Sequence, residues 1–495
     1  MSNLTIGNWI RDRARLTPHR VAIDHDGRRV SYLEVDRASE LLAGELLSLG
    51  LRSGDRVAVL ADNSPEYVNL FFACARAGLI MTPLNWRLSG TELAYQLDHS
   101  SAAMLIFSAG RKAQADEAVG KTGGTPLLRE LERPGAGGPV DVVVGDDDPL
   151  FLIYTSGTSG RPKGALLSHA NTFWTNLAID RVMDVTTFDL VLQVLPQFHI
   201  GGWNVQPLLA WWKGATVILE TSFDPGRALK LIESKQVTTM MGVPATYLFM
   251  AEHPDFATTD LSSLRMAVVG GAPIPESLIR TWNDRDVALV QGYGLSEASP
   301  NVLGLPPEDA PTKIGYAGKA YPHVEVALGG PHGEILEGPG TGELLVRGPS
   351  VFIGYWDDPE ATAEAMRGGW LHTGDVAERD AEGFYRIRDR LKDMYISGGE
   401  NVYPAEVESV LAEHPAVIEA AVIGKHHERW GEVGVAVVVT RMDVDPEELI
   451  EWCRQRLASY KVPRQVHFIE SLPRSGMNKV AKRELITWLE EVRVD

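Results

Sequence analysis

The sequence predicts an α/β protein with a large N-terminal domain of mostly parallel sheets flanked by helices, followed by a small α+β C-terminal domain. The chain has 495 residues, of which 44% are hydrophobic, so it can bury more than one core. Short apolar runs alternate with amphipathic stretches along most of the chain, and the pattern changes near residue 390. We therefore expect an N-terminal domain at 1–389, a hinge at 390–392 and a C-terminal domain at 393–495.

Apolar runs in the large domain predict buried strands, and segments that begin with proline predict helices. The run at 57–60 predicts a strand, and Ser64 followed by Pro65 predicts the cap and first turn of the next helix. Further strands are predicted at 149–153, 190–195, 215–219, 237–241 and 265–269, and further helices at 244–250 and 275–282. This alternation is typical of parallel sheets that are covered on both faces.

The last hundred residues have a pattern of their own. The segment RIRDRLKD at 386–393 is charged and lies between apolar stretches, as a connection between domains would. Beyond it the sequence predicts a helix at 404–413, strands at 418–423 and 434–439, and a helix at 446–458. These elements suffice for a small α+β domain.

Composition and charge exclude several classes of protein. The chain has 47 Lys and Arg against 66 Asp and Glu, a net charge of −19, so it should repel nucleic acid and anionic lipid. Cys74 and Cys453 give neither a disulfide framework nor a metal-ligand spacing. The N-terminus lacks the apolar region of a signal peptide, and no uncharged apolar run reaches the ~18 residues of a membrane span. We therefore expect a cytoplasmic protein.

The most informative segment is YTSGTSGRPKG at 154–164, directly after the predicted strand at 149–153. Its glycines let backbone N–H groups approach an anion, and its hydroxyls and Lys163 add further donors. A Ser/Gly surface linker is the alternative, but this loop follows a buried strand and carries Lys163. A Walker A loop is excluded because Lys163 is followed by glycine instead of Ser or Thr. The predicted phosphate-binding residues are Thr155, Ser156, Gly157, Thr158, Ser159, Gly160 and Lys163.

This loop resembles the characteristic loop of the adenylate-forming (AMP-binding) superfamily, and of its acyl-CoA synthetases in particular. The other motifs of that family follow in the same order, namely GYGLSE at 292–297, TGD at 373–375, RLKDMYISGGENVYPAEVE at 390–408 and the C-terminal Lys479. The resemblance covers essentially the whole chain. It implies a two-step ligase that makes acyl-AMP and pyrophosphate from a carboxylate and Mg-ATP, after which coenzyme A displaces AMP.

The resemblance implies that two of these motifs bind the nucleotide. Tyr293 offers an aromatic face on which the adenine can stack, and Asp375 can accept hydrogen bonds from the ribose hydroxyls. The family usually has threonine where Ser296 stands, so a hydroxyl is kept there. The nucleotide-binding residues implied outside the phosphate loop are Gly292, Tyr293, Ser296, Asp375 and Arg390.

A metal site and a catalytic cation are implied in the same way. Glu297 and Thr155 would hold Mg²⁺, which takes hard oxygen ligands. Lys479 would stabilise the negative charge that moves to the leaving pyrophosphate, although Asn478 precedes it where the family commonly has glycine. The catalytic residues that the resemblance implies are Lys479, His199, Glu297 and Lys392.

Coenzyme A is the expected co-substrate of the second step. Gly398 and Gly399 would let a pantetheine arm pass close to the backbone, although a plain β-bulge is the alternative for such a pair. Trp430 and Tyr460 are candidates for stacking the adenine of coenzyme A. Because two reactions with different co-substrates share one pocket, the C-terminal domain should rotate about the hinge at Lys392.

The segment PQFHIGGW at 196–203 forms the acid pocket by resemblance. Peptide-synthetase adenylation domains have aspartate where His199 stands, and dicarboxylate ligases have arginines that 196–206 and 240–250 lack, so neither substrate class fits. Trp203 either gates a tunnel for the acid or is a core aromatic residue. The predicted pocket residues are His199, Trp203, Val243, Gly270, Gly271 and Ala272. We expect a medium- or long-chain fatty acid, and an aryl acid such as benzoate or cinnamate is the alternative.

Two other functions stay open on the sequence alone. The same fold could pass the acyl group to a carrier protein or to oxygen, but Gly398, Gly399 and Trp430 favour coenzyme A. A non-catalytic acyl-nucleotide binding protein would have lost a key group, whereas every charged group is present. The expected partners are thus a carboxylic acid, ATP and coenzyme A, and a homodimer is left open.

Overall fold

The computed structural model describes residues 4–124, 126–132, 135, 137–138, 140–155, 162–272, 274–391, 393–397, 400–427, 430–457, 459–474 and 480–491. Their α-helices are α1 (Gly7–Leu16), α2 (Tyr32–Ser48), α3 (Pro65–Ala77), α4 (Gly90–Ser100), α5 (Lys112–Lys121), α6 (His169–Asp180), α7 (Gly201–Asn204), α8 (Pro207–Lys213), α9 (Pro225–Lys235), α10 (Pro244–Glu252), α11 (Glu276–Asn283), α12 (Pro359–Ala365), α13 (Pro404–Ala412), α14 (Pro446–Arg454) and α15 (Lys482–Glu491).

Their strands are β1 (Val21–His25), β2 (Arg28–Ser31), β3 (Arg56–Leu60), β4 (Ile80–Pro83), β5 (Met104–Phe107), β6 (Leu127–Glu130), β7 (Pro149–Thr155), β8 (Lys163–Ser168), β9 (Leu190–Gln193), β10 (Thr216–Leu219), β11 (Thr239–Gly242), β12 (Met266–Val269), β13 (Leu289–Gly294), β14 (Asn301–Gly304), β15 (Lys319–Ala320), β16 (Glu325–Gly329), β17 (Ile335–Leu336), β18 (Gly340–Arg347), β19 (Gly354–Tyr355), β20 (Leu371–Arg379), β21 (Tyr385–Arg390), β22 (Tyr395–Ser397), β23 (Glu400–Val402), β24 (Val417–His427), β25 (Gly431–Thr440) and β26 (Gln465–Phe468).

Two large sheets form the centre of the N-terminal part. The first sheet has the order β15-β14-β13-β12-β11-β9-β10-β1-β2, and the second has the order β19-β8-β7-β4-β3-β5-β6. Neighbouring strands from β10 to β13 in the first sheet, and from β6 to β7 in the second, pair in parallel. Strands such as β5 and β12 are continuous buried apolar runs, as parallel strands usually are. The prediction of an α/β fold with parallel-rich sheets is confirmed.

A third sheet, with the order β17-β16-β18-β20-β21, is antiparallel throughout its described pairs. The sequence analysis did not single out this sheet. Its strands have only two or three consecutive buried positions, flanked by glycines and charges, so they lack the longer apolar runs that marked the parallel strands. The sheet is nevertheless important for the site because β20 carries Asp375.

The small C-terminal domain is built on β24 and β25, which form a long antiparallel pair. Strand β26 adds to β25 in parallel, and β22 adds to it on the other side. The helices predicted at 404–413 and 446–458 are found as α13 and α14, and both predicted strands are found with longer ends. A separate apolar cluster that includes Val407, Val422 and Leu449 forms its core.

The main core lies between the two large sheets. Phe71 of α3, Phe151 of β7 and Trp211 of α8 are fully buried in one apolar cluster that contains residues from both sheets. Ser64 caps α3 by accepting a hydrogen bond from the backbone N–H of Tyr67, as its sequence predicted.

In the described part of the chain, no helix combines the length and apolar character that crossing a membrane requires.

Candidate active site

The candidate site lies at the carboxyl ends of β11, β12 and β13, where open α/β sheets bind ligands. In these parallel strands Gly242 pairs with Val269 and Val269 pairs with Gln291, so Val243, Gly270 and Gly292 come to the same edge. A Cβ at Gly270 would lie 2.9 Å from the carbonyl oxygen of Gly292, and Gly271 has a φ of +81°. Both positions therefore need glycine, and backbone forms much of this edge.

The predicted phosphate loop connects β7 and β8, which form an antiparallel pair. Thr155 at the end of β7 and Lys163 at the start of β8 are directly paired. The ends of the loop are thus held by the second sheet, next to the carboxyl edge of β13. The predicted phosphate-binding residues between them, Ser156, Gly157, Thr158, Ser159 and Gly160, lie outside the described residues.

Glu297 lies in a short 3₁₀ turn, Ser296–Ala298, directly after β13. The hydroxyl oxygen of Thr155 lies 3.5 Å from Oε1 of Glu297 and also 3.5 Å from the carbonyl oxygen of Lys163, so the two predicted metal ligands are neighbours. The backbone N–H of Phe352 donates to the carbonyl oxygen of Glu297 at 2.8 Å and fixes the turn. A carboxylate beside a hydroxyl is a donor set of hard oxygens, so these residues fit Mg²⁺.

Tyr355 is a site residue that the sequence analysis missed. Its hydroxyl donates a hydrogen bond of 2.8 Å to Oε1 of Glu297, and the Lys163 ammonium lies 5.2 Å from its ring centre. Burial, and then the negative charge of Glu297, raise the pKa of the Tyr355 hydroxyl, so this group remains a donor. Its proximity follows from the pairing of β19 with β8, which no motif in the sequence indicates.

The predicted nucleotide-binding residues Tyr293 and Asp375 lie together. The Tyr293 hydroxyl donates a hydrogen bond of 2.5 Å to Oδ2 of Asp375. Asp375 is nearly buried and pairs through its backbone with Arg390 on β21. The side chain of Arg390 lies outside the described part. The hydroxyl of Thr373 accepts the Asp375 N–H at 3.1 Å, which fixes the turn of the TGD motif.

The two other predicted nucleotide-binding positions lie on the same path of the chain as Tyr293. Gly292 is on β13 and pairs with Gly304 of β14, while Ser296 opens the 3₁₀ turn that carries Glu297. The structure therefore brings the GYGLSE motif to the carboxyl edge of the first sheet, opposite the base of the phosphate loop.

The acid-pocket segment runs between β9 and α7. His199 is half-buried there, with its ring centre 4.4 Å from that of Phe198. Val243 is also half-buried, Gly270 is buried, and Gly271 and Ala272 are exposed. The segment is anchored by Asn63, another residue that sequence reasoning missed, whose side chain accepts from the Gln197 N–H at 2.8 Å and donates to the Leu195 carbonyl at 2.9 Å.

Trp203 lies in the main core. Its side chain is fully buried, and its indole N–H donates to the carbonyl oxygen of Gln197 at 2.6 Å. The ring centres of Phe71, Tyr67 and Phe151 lie 4.7, 5.5 and 6.1 Å from that of Trp203. This aromatic packing supports the core alternative, because the indole is held on several sides within the main core, and the role of a tunnel gate stays a prediction.

The C-terminal domain contains a cavity of about 340 Å³ beside Trp430. Its other lining residues are Lys425, His426, His427, Val433, Val435, Arg464 and Gln465. The Arg464 guanidinium lies 5.6 Å from the Trp430 ring centre. An aromatic face bordered by cations suits a phosphorylated nucleotide.

Tyr460, the other predicted stacking residue, does not line that cavity. Tyr460 instead packs against the core of the domain, and the Lys461 ammonium lies 5.7 Å from its ring centre. Lys392, Gly398, Gly399 and Lys479 lie outside the described residues.

Comparison with known proteins gives matches along the whole chain. Residues 10–356 match the family described as AMP-binding enzyme, and residues 406–479 match the AMP-binding enzyme C-terminal domain. The feruloyl-CoA synthase of Amycolatopsis sp is 44% identical, with 98% of this chain and 99% of that protein covered. The indoleacetate–CoA ligase of Aromatoleum aromaticum is 40% identical, with 97% and 98% covered.

Two further matches extend this comparison. The long-chain-fatty-acid–CoA ligase FadD13 of Mycobacterium tuberculosis is 38% identical, with 97% of each chain covered. The solved structure of O-succinylbenzoate coenzyme A synthetase (MenE) from Bacillus subtilis in complex with ATP and magnesium ion has a TM-score of 0.89 and 32% identity, and 97% of this chain and 99% of that chain are covered.

Proposed function

The chain belongs to the AMP-binding enzyme family, and we propose that the acid it activates is aromatic, a cinnamate-like or other aryl acid. Its activity is that of an AMP-forming acyl-CoA synthetase, which uses ATP, Mg²⁺ and coenzyme A. The observation that carries the aryl proposal is the 44% identity over nearly the full length to a feruloyl-CoA synthase. We therefore place the aryl acid ahead of the fatty acid that the sequence led us to expect first.

Two further observations support an aryl acid. The indoleacetate ligase is 40% identical, slightly more than the 38% of the long-chain fatty acid ligase. In addition, the packing of Trp203 in the core favours the alternative in which this residue is not a gate for long acyl chains.

In the first step, the carboxylate oxygen of the acid attacks the α-phosphorus of ATP, and the bond to the β-phosphate oxygen breaks. Lys163 and the loop that it closes bind the phosphates, and Asp375 and Tyr293 bind the nucleoside. Glu297 and Thr155 would hold Mg²⁺, which would neutralise phosphate charge. Lys479 balances the charge that moves to the leaving pyrophosphate, because a fixed cation stabilises that transition state more than it stabilises the separated anions.

In the second step, the thiolate of coenzyme A attacks the acyl carbon, and AMP leaves. The cavity beside Trp430 would bind the phosphorylated nucleotide of coenzyme A through the indole face, Lys425 and Arg464. Gly398 and Gly399 would admit the pantetheine arm. The C-terminal domain, divided from the rest at 390–392, would rotate between the two steps so that Lys479 and then the two glycines face the acid.

A substrate panel tests the proposal. Pyrophosphate release and thioester formation are measured with ferulate, cinnamate, benzoate, indoleacetate, octanoate, palmitate and malonate. We expect the highest kcat/KM for an aryl acid and background rates for malonate, because a second carboxylate would be buried without a partner. A maximum at octanoate or palmitate would contradict the aryl assignment while leaving the ligase activity in place. Omission of coenzyme A should stop thioester formation and leave acyl-AMP.

His199→Ala provides the matched test of the pocket. Because His199 belongs to the acid-pocket segment and Asp375 to the nucleotide site, we expect His199→Ala to change KM for the acid and Asp375→Asn to change KM for ATP. An unchanged order of preference among the acids in His199→Ala would show that this histidine does not face the substrate.

A further inference from the structure

Two hydroxyl groups lie near one oxygen atom of Glu297. Tyr355 donates to Oε1 at 2.8 Å, whereas the hydroxyl oxygen of Thr155 lies 3.5 Å from that atom and also 3.5 Å from the carbonyl oxygen of Lys163. The Tyr355 bond stabilises the ionised carboxylate and fixes the end of a side chain that otherwise has three rotatable bonds. Tyr355 belongs to none of the motifs that define the nucleotide site.

The ring of Tyr355 has a second contact within the site. The Lys163 ammonium lies 5.2 Å from the ring centre, within the range of a cation–π interaction. One side chain therefore touches both the carboxylate that would bind the metal and the lysine at the base of the phosphate loop.

The backbone of Tyr355 is held by two neighbouring elements. Strand β19 pairs with β8, so that Tyr355 lies opposite Ala165, two residues after Lys163. The N–H of Tyr355 donates to the hydroxyl of Thr362 on α12 at 2.8 Å, and that hydroxyl donates to the carbonyl of Asp358 at 2.8 Å. The backbone of Tyr355 is thus held in place, so its phenol can orient Glu297 and Lys163.

We propose that Tyr355 is a positioning residue that orients Glu297 toward Mg²⁺ through its hydroxyl and places Lys163 through its ring. The proposal rests on the proposed function in one respect, since the metal is the one that accompanies ATP. Residues that hold a metal ligand in place commonly change metal affinity by about 10–100-fold when they are replaced. A tyrosine that merely filled space would not have this effect.

The test compares full-length wild-type protein with Tyr355→Phe, which keeps the ring and removes the hydroxyl. Mn²⁺ is titrated in the presence of a non-hydrolysable ATP analogue, and free Mn²⁺ is followed by electron paramagnetic resonance. We expect Mn²⁺ affinity to fall about tenfold in Tyr355→Phe. In acyl-AMP formation, the half-saturating Mg²⁺ concentration should rise by a similar factor, with KM for the acid unchanged.

Tyr32→Phe is the matched control. Tyr32 is fully buried, and its hydroxyl donates to the carbonyl of Ala215 at 2.6 Å, so this variant also removes one buried phenol hydrogen bond, but on an element that carries no predicted site residue. Its Mn²⁺ affinity should equal that of the wild type. Equal loss in both variants would show a general effect on stability and would overturn the proposal.

A double variant gives a second measurement that does not depend on one substitution. If Tyr355 acts through Glu297, Tyr355→Phe should change Mn²⁺ affinity little in a Glu297→Gln background, because the group that it orients is gone. Full additivity, or unchanged Mn²⁺ affinity in folded Tyr355→Phe, would overturn the proposal. Failure of the wild type to activate any aryl acid would contradict the proposed substrate alone, because Mn²⁺ binding is measured without an acid.

Discussion

Single buried asparagine side chains hold the loops behind the candidate site. Asn204 donates to the carbonyl of Ser299 at 2.9 Å, and Asn301 donates to the carbonyl of Asn204 at 3.1 Å and to the hydroxyl of Thr175 at 2.9 Å. These bonds connect α6 and α7 to the chain that follows Glu297. Buried polar groups of this kind are costly unless each is hydrogen-bonded, so they specify one arrangement of the loops.

His169, the first residue of α6, should make stability depend on pH. Its Nδ1 accepts a hydrogen bond from the N–H of Ile6 at 3.1 Å, which requires the neutral ring. Burial lowers the pKa of His169 to about 4, even though Asp148 and Asp146 act in the opposite direction. Between about pH 6.5 and 4 the unfolded chain therefore binds a proton that the folded chain does not. The free energy of unfolding decreases by about 3 kcal/mol as the pH is lowered through this range.

Urea unfolding from pH 7.5 to 4.5 checks this prediction. His169→Asn keeps a hydrogen-bond acceptor and removes the titrating ring, so the free energy of unfolding should depend less on pH than in the wild type. The exposed His19 serves as the control through His19→Asn, which should leave the wild-type profile unchanged. If the free energy of unfolding depended on pH in the same way in His169→Asn and the wild type, His169 would not be the group responsible for the pH dependence.

Trp203 gives a second prediction at this scale. Because its indole is fully buried among aromatic rings, Trp203→Ala should lower the free energy of unfolding by about 3–5 kcal/mol. Trp203→Phe should lower it less and should leave the order of preference among straight-chain acids unchanged. A broader range of accepted chain lengths in Trp203→Phe would instead support the role of Trp203 as a tunnel gate.

At the scale of elements, α6 shows how a helix terminus can support a site. Ser168 and Asn171 form a capping box, with hydrogen bonds of 3.0 and 2.9 Å between side chain and backbone. The amide of Asn171 also donates to the carbonyls of Pro349 and Val351, each at 2.8 Å. The next residue in that segment, Phe352, donates its N–H to the carbonyl of Glu297. The N-terminal cap of α6 is thus connected to the turn that carries Glu297.

Ser168→Ala and Asn171→Ala should therefore differ. Loss of the Ser168 hydroxyl removes one cap bond and should cost about 1 kcal/mol of stability. Loss of Asn171 also leaves two carbonyl groups without their amide donor and should cost about 2–3 kcal/mol. We expect the half-saturating Mg²⁺ concentration to rise in Asn171→Ala and to stay at the wild-type value in Ser168→Ala. Urea unfolding and the Mg²⁺ dependence of acyl-AMP formation measure the two effects, and the same Mg²⁺ dependence in both variants would exclude the connection.

The parallel strands could be predicted from the sequence because each is a short apolar run followed by a helix signal. The antiparallel strands of the third sheet could not, since their apolar residues form runs of three or fewer that are flanked by charges and glycines. For the same reason, sequence motifs led to Glu297 and Asp375 but not to Tyr355. Motif residues are recognised by local spacing, whereas Tyr355 is 58 residues from Glu297 and reaches it only through the pairing of β19 with β8.

At the scale of the whole molecule, charged side chains surround the segment that we propose as a hinge. Asp389, on the last strand before it, accepts the backbone N–H of Ala405 at the start of α13 at 2.9 Å. Lys482, three residues after Lys479, forms an ion pair of 3.0 Å with Glu408 of α13. Burial lowers the pKa of Lys482, but Glu408, Asp389 and Asp393 outweigh burial and raise it, so the ammonium stays charged. Lys482, Glu408, Asp389 and Asp393 thus belong to one charge cluster.

The hinge can be tested by limiting backbone rotation at Lys392. If Lys479 serves the first step and Gly398–Gly399 serve the second, we expect the C-terminal domain to rotate between the two half-reactions. Lys392→Pro fixes φ near −65° and should hold the domain in one arrangement, while Lys392→Ala removes the same side chain and keeps the backbone free. Acyl-AMP formation and the conversion of supplied acyl-AMP to acyl-CoA are measured separately for both variants. We expect Lys392→Pro to slow thioester formation more than adenylation and Lys392→Ala to preserve their ratio. Equal ratios in the two variants would place the rotation elsewhere in the chain, because only the proline restricts the backbone.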